Sequence, residues 1–470
     1  MAEYLSRLRQ FISDGYNLDE LKTLSFDLGL EYENLPGENS RQGKSRELVS
    51  WLARRGQLDL LLTQLQKERP KLFEEAGLSI EVGDVLFRAY EEEAGGLREY
   101  IMVEAFKTLV TNRTQDFVGR DFIFQAIERH VADPDFPSGY IIIQGEPGIG
   151  KTSVAAHLVR NKGYVHHFNI ASDNIRSAHD FLVNICAQLI VQFELPYTRL
   201  PDDATRHSGF LSRLLGEAAG KTGDRPLIIL VDALDEADLP LEPGRNRLDL
   251  PRFLPANVFF IVTTRPQTHL FVDRVETIYL RDDDPQNLKD IRQYIQNYLT
   301  VYHKEMVDRL AEWKTTADDF VSTLIEKSQG NFMYLVHVLR DIRKSRLTAA
   351  TIDSISKLPQ GLKDYYDLHW RTMKGADEVA FETYYEPVVS YLAAAREPVS
   401  LGKVAAWVKI SPSRLKKVIR EWLEFLNVEE TTQGTFYRIY HASFRDFLDH
   451  EVNMVEYHDG IVETALNKIG

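Results

Sequence analysis

The residues best suited to chemistry form one run, GEPGIGKT, from Gly145 to Thr152. It directly follows the apolar segment YIIIQ (Tyr140 to Gln144) and directly precedes SVAAHLV, which reads as a helix. Gly-x4-Gly-Lys-Thr between a strand and a helix is the signature of a loop that cradles nucleotide phosphates. Gly145, Gly148 and Gly150 allow backbone shapes in which successive N–H groups point inward at phosphate oxygens. Glu146, Pro147, Ile149 and Ser153 complete the stretch expected to touch the nucleotide. The helix dipole behind the loop favours the same anion. Lys151 is placed to reach the β- and γ-phosphates, and the Thr152 hydroxyl to ligate Mg²⁺.

A second run, RPLIILVDALDEAD from Arg225 to Asp238, is an apolar strand ending in carboxylates. Asp232 at its end is positioned to hold Mg²⁺ through water. Asp235 and Glu236 lie just beyond and could orient or deprotonate an attacking water; spacing does not decide between them, and Glu236 is the preferred base. FFIVTTRP, from Phe259 to Pro266, is a third apolar strand, which brings Thr263, Thr264 and Arg265 out at the carboxyl edge of a sheet, where open α/β sheets bind ligands. Arg265 there could sense a γ-phosphate with its planar charged fork.

The elements that must position these groups are legible from periodicity. Apolar runs at Tyr140, Tyr164, Pro226, Val258 and Val275 alternate with helical stretches over residues 113–285, which predicts a parallel sheet covered on both faces. Residues 1–72 read as an all-helical unit: Leu5, Leu8, Phe11 and Ile12 recur at helical spacing, as do Leu21, Leu24 and Leu28, with Asp19 a candidate N-cap and Pro36 to Asn39 a turn. Its charges segregate. Asp14, Asp19, Glu20, Asp27, Glu31, Glu33 and Glu38 face a lone Lys22, whereas Arg41, Lys44, Arg46, Arg54 and Arg55 face a lone Glu47. Residues 73–112 read as a charged helical linker with Glu91 to Glu93 at its centre, and 286–370 as a helical domain. Residues 371–455 give helix, turn, helix, two strands and a helix, the order of a winged helix, and 456–470 form a helical stub. The fold class is thus multidomain α and α/β.

Composition sets the limits. The chain has 470 residues, 44% hydrophobic and 27% charged, the balance of folded protein. Lys plus Arg number 56 and Asp plus Glu 70, so the net charge of −14 disfavours nucleic acid binding through the overall field. One cysteine, Cys186, excludes an internal disulfide and a cysteine-built zinc site. No apolar run approaches a membrane span and the start lacks a secretory pattern, so a soluble, cytoplasmic protein is expected. His166 and His167 lack partners at metal-ligand spacing and are expected to pack in the core, as is Cys186.

Taken together, the phosphate loop, the DALDE box and the TTR strand end resemble the STAND class of signal-transduction ATPases, specifically its NACHT subgroup. FVGRD, at Phe117 to Asp121, is similar to the leader motif of that class, and the resemblance implies that Val118, Gly119 and Arg120 lie against adenine. YHASFRDFL, at Tyr440 to Leu448, matches the segment whose histidine, here His441, contacts the ADP β-phosphate in the closed state of the family. Two departures stand out: Ala233 occupies a position more often glycine, and SQGNFMYL (Ser328 to Leu335) lacks the proline many relatives place near adenine. Residues 1–70 resemble bacterial effector-associated domain 1, a death-like helical adaptor, through LDELKTLSFDLGLEYENLPG, SRELVSWLARRGQLDLLL and KERP. Relatives continue into sensor repeats, which are expected to be absent from this sequence.

The resemblance implies a slow ATPase used as an ATP/ADP switch, monomeric with ADP and homo-oligomeric when activated. Its clustered N-terminal domains would recruit an effector with a matching domain, such as a caspase-like protease, in antiviral defence or cell death. Segregated charges between residues 14 and 55 suit head-to-tail pairing of like domains. Two rivals remain: a DNA-binding regulator using Arg414, Lys416, Lys417 and Arg420 on the helix expected at Ser413 to Leu423, and a remodelling machine with rapid turnover.

Overall fold

The computed structural model describes residues 2–466 except 29, 31, 33–34, 36–39, 55–57, 77, 79–86, 88–89, 91–93, 202–203, 206, 241, 243, 267, 349, 396, 432–433 and 440. The turn expected at Pro36 to Asn39, the run Glu91 to Glu93 and the charges of Glu31, Glu33, Glu38 and Arg55 lie outside the described residues.

Five helices open the chain: Ala2–Gly15, Leu18–Asp27, Arg41–Arg54, Leu58–Glu68 and Pro70–Glu75. Their apolar stripes close one core around Leu8, Ile12, Leu21, Leu24, Leu52 and Leu62, all essentially inaccessible. The second helix is capped by Asn17, not Asp19. Asn17 Oδ1 accepts from the amides of Asp19 and Glu20, and the Glu20 carboxylate returns a bond to the Asn17 amide. Asn17 holds the extended backbone that an N-cap requires, whereas Asp19 is already inside the first turn. Lys44 leaves the expected basic face: it is buried, its Nζ 2.6 Å from the Leu35 carbonyl and its charge over the Tyr32 ring.

The linker segment is no free spacer. Phe87 and Tyr90 are buried in the core of the next unit, and Tyr90 donates to Gln192 at 2.8 Å. After it come helices Val103–Thr114 and Asp121–Val131 and five strands, β1 (Gly139–Gly145), β2 (Val165–Phe168), β3 (Leu227–Asp232), β4 (Val258–Thr264) and β5 (Val275–Leu280). They form an all-parallel sheet in the order β2-β3-β4-β1-β5. Every residue of β3 and β4 is buried, as continuous apolar strands require when helices cover both faces. Burying Phe259, Phe260, Ile261 and Val262 contributes roughly 1.5–3 kcal/mol each, before the entropic cost of ordering them. His166 and His167 pack among Phe87, Phe106 and Phe181, and burial lowers their pKa values to about 4 and about 3. Cys186 is buried in the helix Ala178–Gln192. Because β1 lies between β4 and β5, the chain must cross β4 and β3 to reach β2. The carboxyl ends of β1, β3 and β4 therefore open onto one crevice.

Helices Pro285–Val301, His303–Glu312, Ala317–Ser328, Phe332–Arg343 and Gly361–Ala376 follow, then Glu386–Ala394. Beyond them the chain runs β6 (Val399–Ser400), Leu401–Val408, Pro412–Trp422, β7 (Leu426–Thr431), β8 (Gly434–Ile439), Ala442–Glu451 and Met454–Leu466. β7 and β8 are an antiparallel hairpin; β6, two residues long, pairs with β8 and has no separate signal in the sequence. Thr432 and Gln433 of the expected turn, and Tyr440, lie outside the described residues. Residues from Ile291 to Leu448 share one continuous apolar cluster. The N-terminal bundle touches the sheet unit through Arg225, whose Nη2 donates to the Leu28 carbonyl at 2.6 Å.

Candidate functional site

The phosphate loop leaves β1 at Gly145 and enters the helix Lys151–Lys162. Gly148 sits at φ 82°, and a β-carbon there would lie 2.5 Å from Asn331 Oδ1, so only glycine fits both the backbone and the neighbour. Asn331 earns that proximity: its Nδ2 donates to the Pro147 carbonyl at 2.9 Å, and the next turn's Met333 amide donates to the Gly148 carbonyl at 3.1 Å. SQGNFMYL thus reaches the loop through Asn331, which also caps Phe332–Arg343. The signal available for this was an Asn directly before an apolar helical run.

Lys151 Nζ donates to the carbonyls of Gly145 and Glu146, at 2.6 and 3.0 Å. Burial lowers its pKa, while Asp235 and Asp232 act against that. Thr152 hydrogen-bonds Asp232, and Asp232 also accepts from Thr263 Oγ1 at 2.5 Å. Burial raises the Asp232 pKa; the two hydroxyls and Lys151 oppose the rise. Among the described residues no cluster of three or more His, Cys, Asp or Glu could hold a metal alone. Thr152 and Asp232 fit Mg²⁺ nevertheless, since that ion takes one or two protein oxygens and completes its shell with water and phosphate.

Just past β3 the backbone turns through Ala233, at φ 51° and ψ 51°, into a 3₁₀ turn over Leu234–Glu236. This left-handed conformation is one that glycine adopts freely and that costs an alanine about 1–2 kcal/mol. The turn sends its two carboxylates to different partners. Asp235 takes the Arg265 amide at 3.2 Å and the Arg265 Nε at 2.9 Å. Glu236 is partly buried, with one long bond from the Ala171 amide at 3.4 Å. Burial first and Asp235 second push its pKa up to about 7. Thr264 is buried at the end of β4 beside Arg265.

The C-terminal region closes over this crevice. His441 caps Ala442–Glu451, its Nδ1 accepting the Ser443 amide at 3.2 Å and lying 2.7 Å from the Ser443 hydroxyl. Burial, then the charge of Arg113, hold its pKa well below the usual histidine value. A neutral ring whose Nδ1 accepts carries its proton on Nε2, which makes Nε2 a donor. Arg265 Nη1 reaches Asp446 on this helix at 2.9 Å. Arg438 of β8 pairs with Asp173, beyond β2, as a second link. A cavity of about 210 Å³ lies between these parts, lined by Lys151, Thr152, Asp232, Glu236, Arg265 and His441. Arg113 and Asn169 also line it and had no motif to announce them, as does Arg445, which lies within YHASFRDFL but was given no role there.

A second cavity, of about 180 Å³, adjoins the first and shares Gly150, Ser153 and Phe332 with it. Val118, Arg120 and Tyr294 form other walls. Arg120 is buried at φ 71°, and its fork is committed: Nη1 donates to Asn287 at 2.8 Å and Nη2 to the Ile149 carbonyl at 2.6 Å. Its amide donates to Asp290, 2.9 Å away, and the space a β-carbon would need at Gly119 is filled by that same carboxylate. Burial lowers the Arg120 pKa to about 10, although Asp290 opposes it. Arg120 thus fixes the loop against Pro285–Val301, and Val118 lines the second cavity. Of the residues expected at the site, Val118, Arg120, Pro147, Gly148, Gly150, Lys151, Thr152, Ser153, Asp232, Asp235, Glu236, Thr263, Arg265 and His441 line one or other cavity, whereas Gly119, Gly145, Glu146, Ile149 and Thr264 line neither.

Residues 8–70 match the family model of effector-associated domain 7. The effector-associated class is the one expected from the sequence; the matching subtype is 7 where 1 was expected. No curated protein matches the chain. Among solved structures, a signal transduction ATPase with numerous domains and a tetratricopeptide repeat sensor, from Pyrococcus horikoshii, is similar at 17% identity and a TM-score of 0.37, over 75% of this chain and 45% of its own. This chain therefore spans less than half of that protein's length. The RuvB Holliday junction branch migration motor of Thermotoga maritima is similar at 12% identity and a TM-score of 0.28, over 72% of this chain and 98% of its own. No helix among the described residues is long and apolar enough to cross a membrane.

Proposed function

We propose that the protein is a nucleotide-switched signalling ATPase of the STAND, NACHT-like kind, closed and monomeric with ADP and oligomeric with ATP. One observation carries this reading: Arg265 bridges Asp235 in the crevice and Asp446 on the closing helix, with His441 of that helix in the same cavity. A ligand can shift a two-state equilibrium only by differential contact with the two states, and this arrangement supplies such contacts.

Lys151 and the loop amides bind the phosphate tail, and Val118 and Phe332 flank the base. Thr152 and Asp232 would hold Mg²⁺, which would supply charge to offset that of the phosphates. Glu236, with a pKa near neutrality, takes the proton of the attacking water, while Asp235 orients Arg265. His441 Nε2–H donates to a β-phosphate oxygen in the closed state. A γ-phosphate competes with Asp446 for Arg265 and loosens the helix. Opened copies would cluster their N-terminal domains and raise the effective concentration of a recruited effector, a caspase-like protease with a matching domain being the partner we favour. Antiviral defence or programmed cell death in the cytoplasm is the setting this implies.

Light scattering with ADP and with a non-hydrolysable ATP analogue tests the switch. A monomer with the first and a defined assembly with the second are expected; one unchanged mass in both would refute it. A second reading, a DNA-binding regulator, rests on Lys416, Lys417 and Arg420, which stay exposed on Pro412–Trp422, while Arg414 is held by Tyr384 at 2.7 Å. Salt-dependent duplex binding lost in a Lys416→Glu, Lys417→Glu double variant would support it.

A further inference from the structure

Arg445 lies in the nucleotide crevice, and no motif assigns it a role. It follows His441 by four residues on Ala442–Glu451, one helical turn on, and lines the same cavity as Lys151 and Glu236. The rotation of this helix is fixed on both sides. Phe444, Phe447 and Leu448 are buried in the C-terminal core, and Asp446 is bound to Arg265. The Arg445 Nε is buried with no hydrogen-bond partner among the described residues. A buried donor without a partner costs stability, so its retention beside a phosphate loop points to an anion that completes it. Asp449, one turn further, feels its charge but leaves that Nε unmatched.

We infer that Arg445 is a nucleotide-phosphate ligand, delivered to the crevice by the same helix as His441, and that it binds the terminal phosphate of the diphosphate in the closed state. This rests on the nucleotide-switch reading and deepens it. Guanidinium suits the task because its planar fork matches two phosphate oxygens at once and stays charged when partly desolvated. Two donors from one helix would then grip the β-phosphate, and the strength of closure would depend on how many phosphates the nucleotide carries. AMP, which lacks the β-phosphate, gains nothing from either.

Calorimetric titration of ADP and AMP into the full chain and into Arg445→Ala, Arg445→Gln and Lys151→Ala tests this. Arg445→Ala and Arg445→Gln should each weaken ADP binding about ten-fold and leave AMP binding unchanged, with thermal unfolding midpoints near that of the parent. ADP affinity within roughly two-fold of the parent in both arginine variants, while Lys151→Ala loses binding, would overturn the role of Arg445 alone. Equal weakening of ADP and AMP would also overturn it, because a purely structural residue does not count phosphates. Unchanged binding in Lys151→Ala would remove the nucleotide reading itself.

Discussion

Asp446 holds the guanidinium of Arg265 at 2.9 Å, while Asp235 takes its Nε at the same distance. One arginine from the end of β4 therefore joins the floor of the crevice to the helix that covers it. Arg265 is largely shielded and Asp446 is nearly half exposed, so the link is worth about 0.2–1 kcal/mol, far less than a buried pair. A contact of that size suits a latch, because a phosphate can displace it.

Asp446→Asn should release the latch without disturbing the phosphate loop. The closed-to-open ratio should fall by up to roughly fivefold. Assembly, followed by light scattering, should then begin at lower ATP concentration, with ADP binding weakened by no more than the same factor. Assembly requiring more ATP than in the parent would contradict the latch.

The two carboxylates after β3 should differ in kinetic effect. Glu236→Gln should slow hydrolysis roughly hundredfold or more and preserve binding, and hydrolysis by the parent should rise as pH passes through about 7. Asp235→Asn should act more weakly, through Arg265. Stability should move in the opposite sense to activity. The folded-state pKa of Glu236 lies above the ordinary 4.5, so the fold prefers the neutral carboxyl, and stability falls as pH climbs from about 4.5 to about 7. At pH 8 the Gln variant should therefore be more stable than the parent, by on the order of 1–3 kcal/mol in chemical unfolding.

Much of this site was legible because its residues are local in sequence. Gly145 to Thr152, Asp232 to Glu236 and Thr263 to Arg265 each sit at a strand end, and periodicity alone locates the five strands. What sequence could not show was pairing across the fold. Nothing in the motif at Phe117 to Asp121 says that Arg120 spends its fork on Asn287 and Ile149, since those partners lie far along the chain or behind the loop. Asp235 and Glu236 are adjacent and chemically alike, and only the position of Arg265 separates them. In the N-terminal bundle, Asp19 and Asn17 are both good capping residues, and the choice depended on which took the extended backbone. Lys44 looked like surface charge until the Leu35 carbonyl and the Tyr32 ring enclosed it.

Ala233 carries its side chain at φ 51°, a conformation costing an L-residue about 1–2 kcal/mol, while glycine has its own entropic cost of about 0.5–1 kcal/mol on folding. Ala233→Gly should therefore stabilise the fold by up to about 1 kcal/mol, seen as a raised thermal midpoint. Nucleotide affinity should not change, because the Ala233 backbone N–H, which the substitution leaves in place, still donates to Thr263 Oγ1. A lowered midpoint would mean that the methyl group packs favourably enough to outweigh the backbone strain.

His441 is predicted to be a neutral donor and not a cation. Burial and neighbouring Arg113 keep its pKa well below the ordinary value, and Nδ1 is occupied by the Ser443 amide, so Nε2–H is what the ring can offer a phosphate. His441→Ala should weaken ADP binding by about tenfold, leave ATP binding in the open state unaffected, and raise the assembled fraction at equal nucleotide. The coupling follows from linkage: a group that binds ADP only when the helix is closed must, when removed, lower both ADP affinity and closure together. The Ser443 hydroxyl, 2.7 Å from Nδ1 and 3.0 Å from the Tyr366 hydroxyl, fixes the ring, so Ser443→Ala should give a milder version of the same pair of changes. An ADP affinity that drops in His441→Ala while the monomer fraction holds would separate binding from closure and rule out this histidine as the element that couples them.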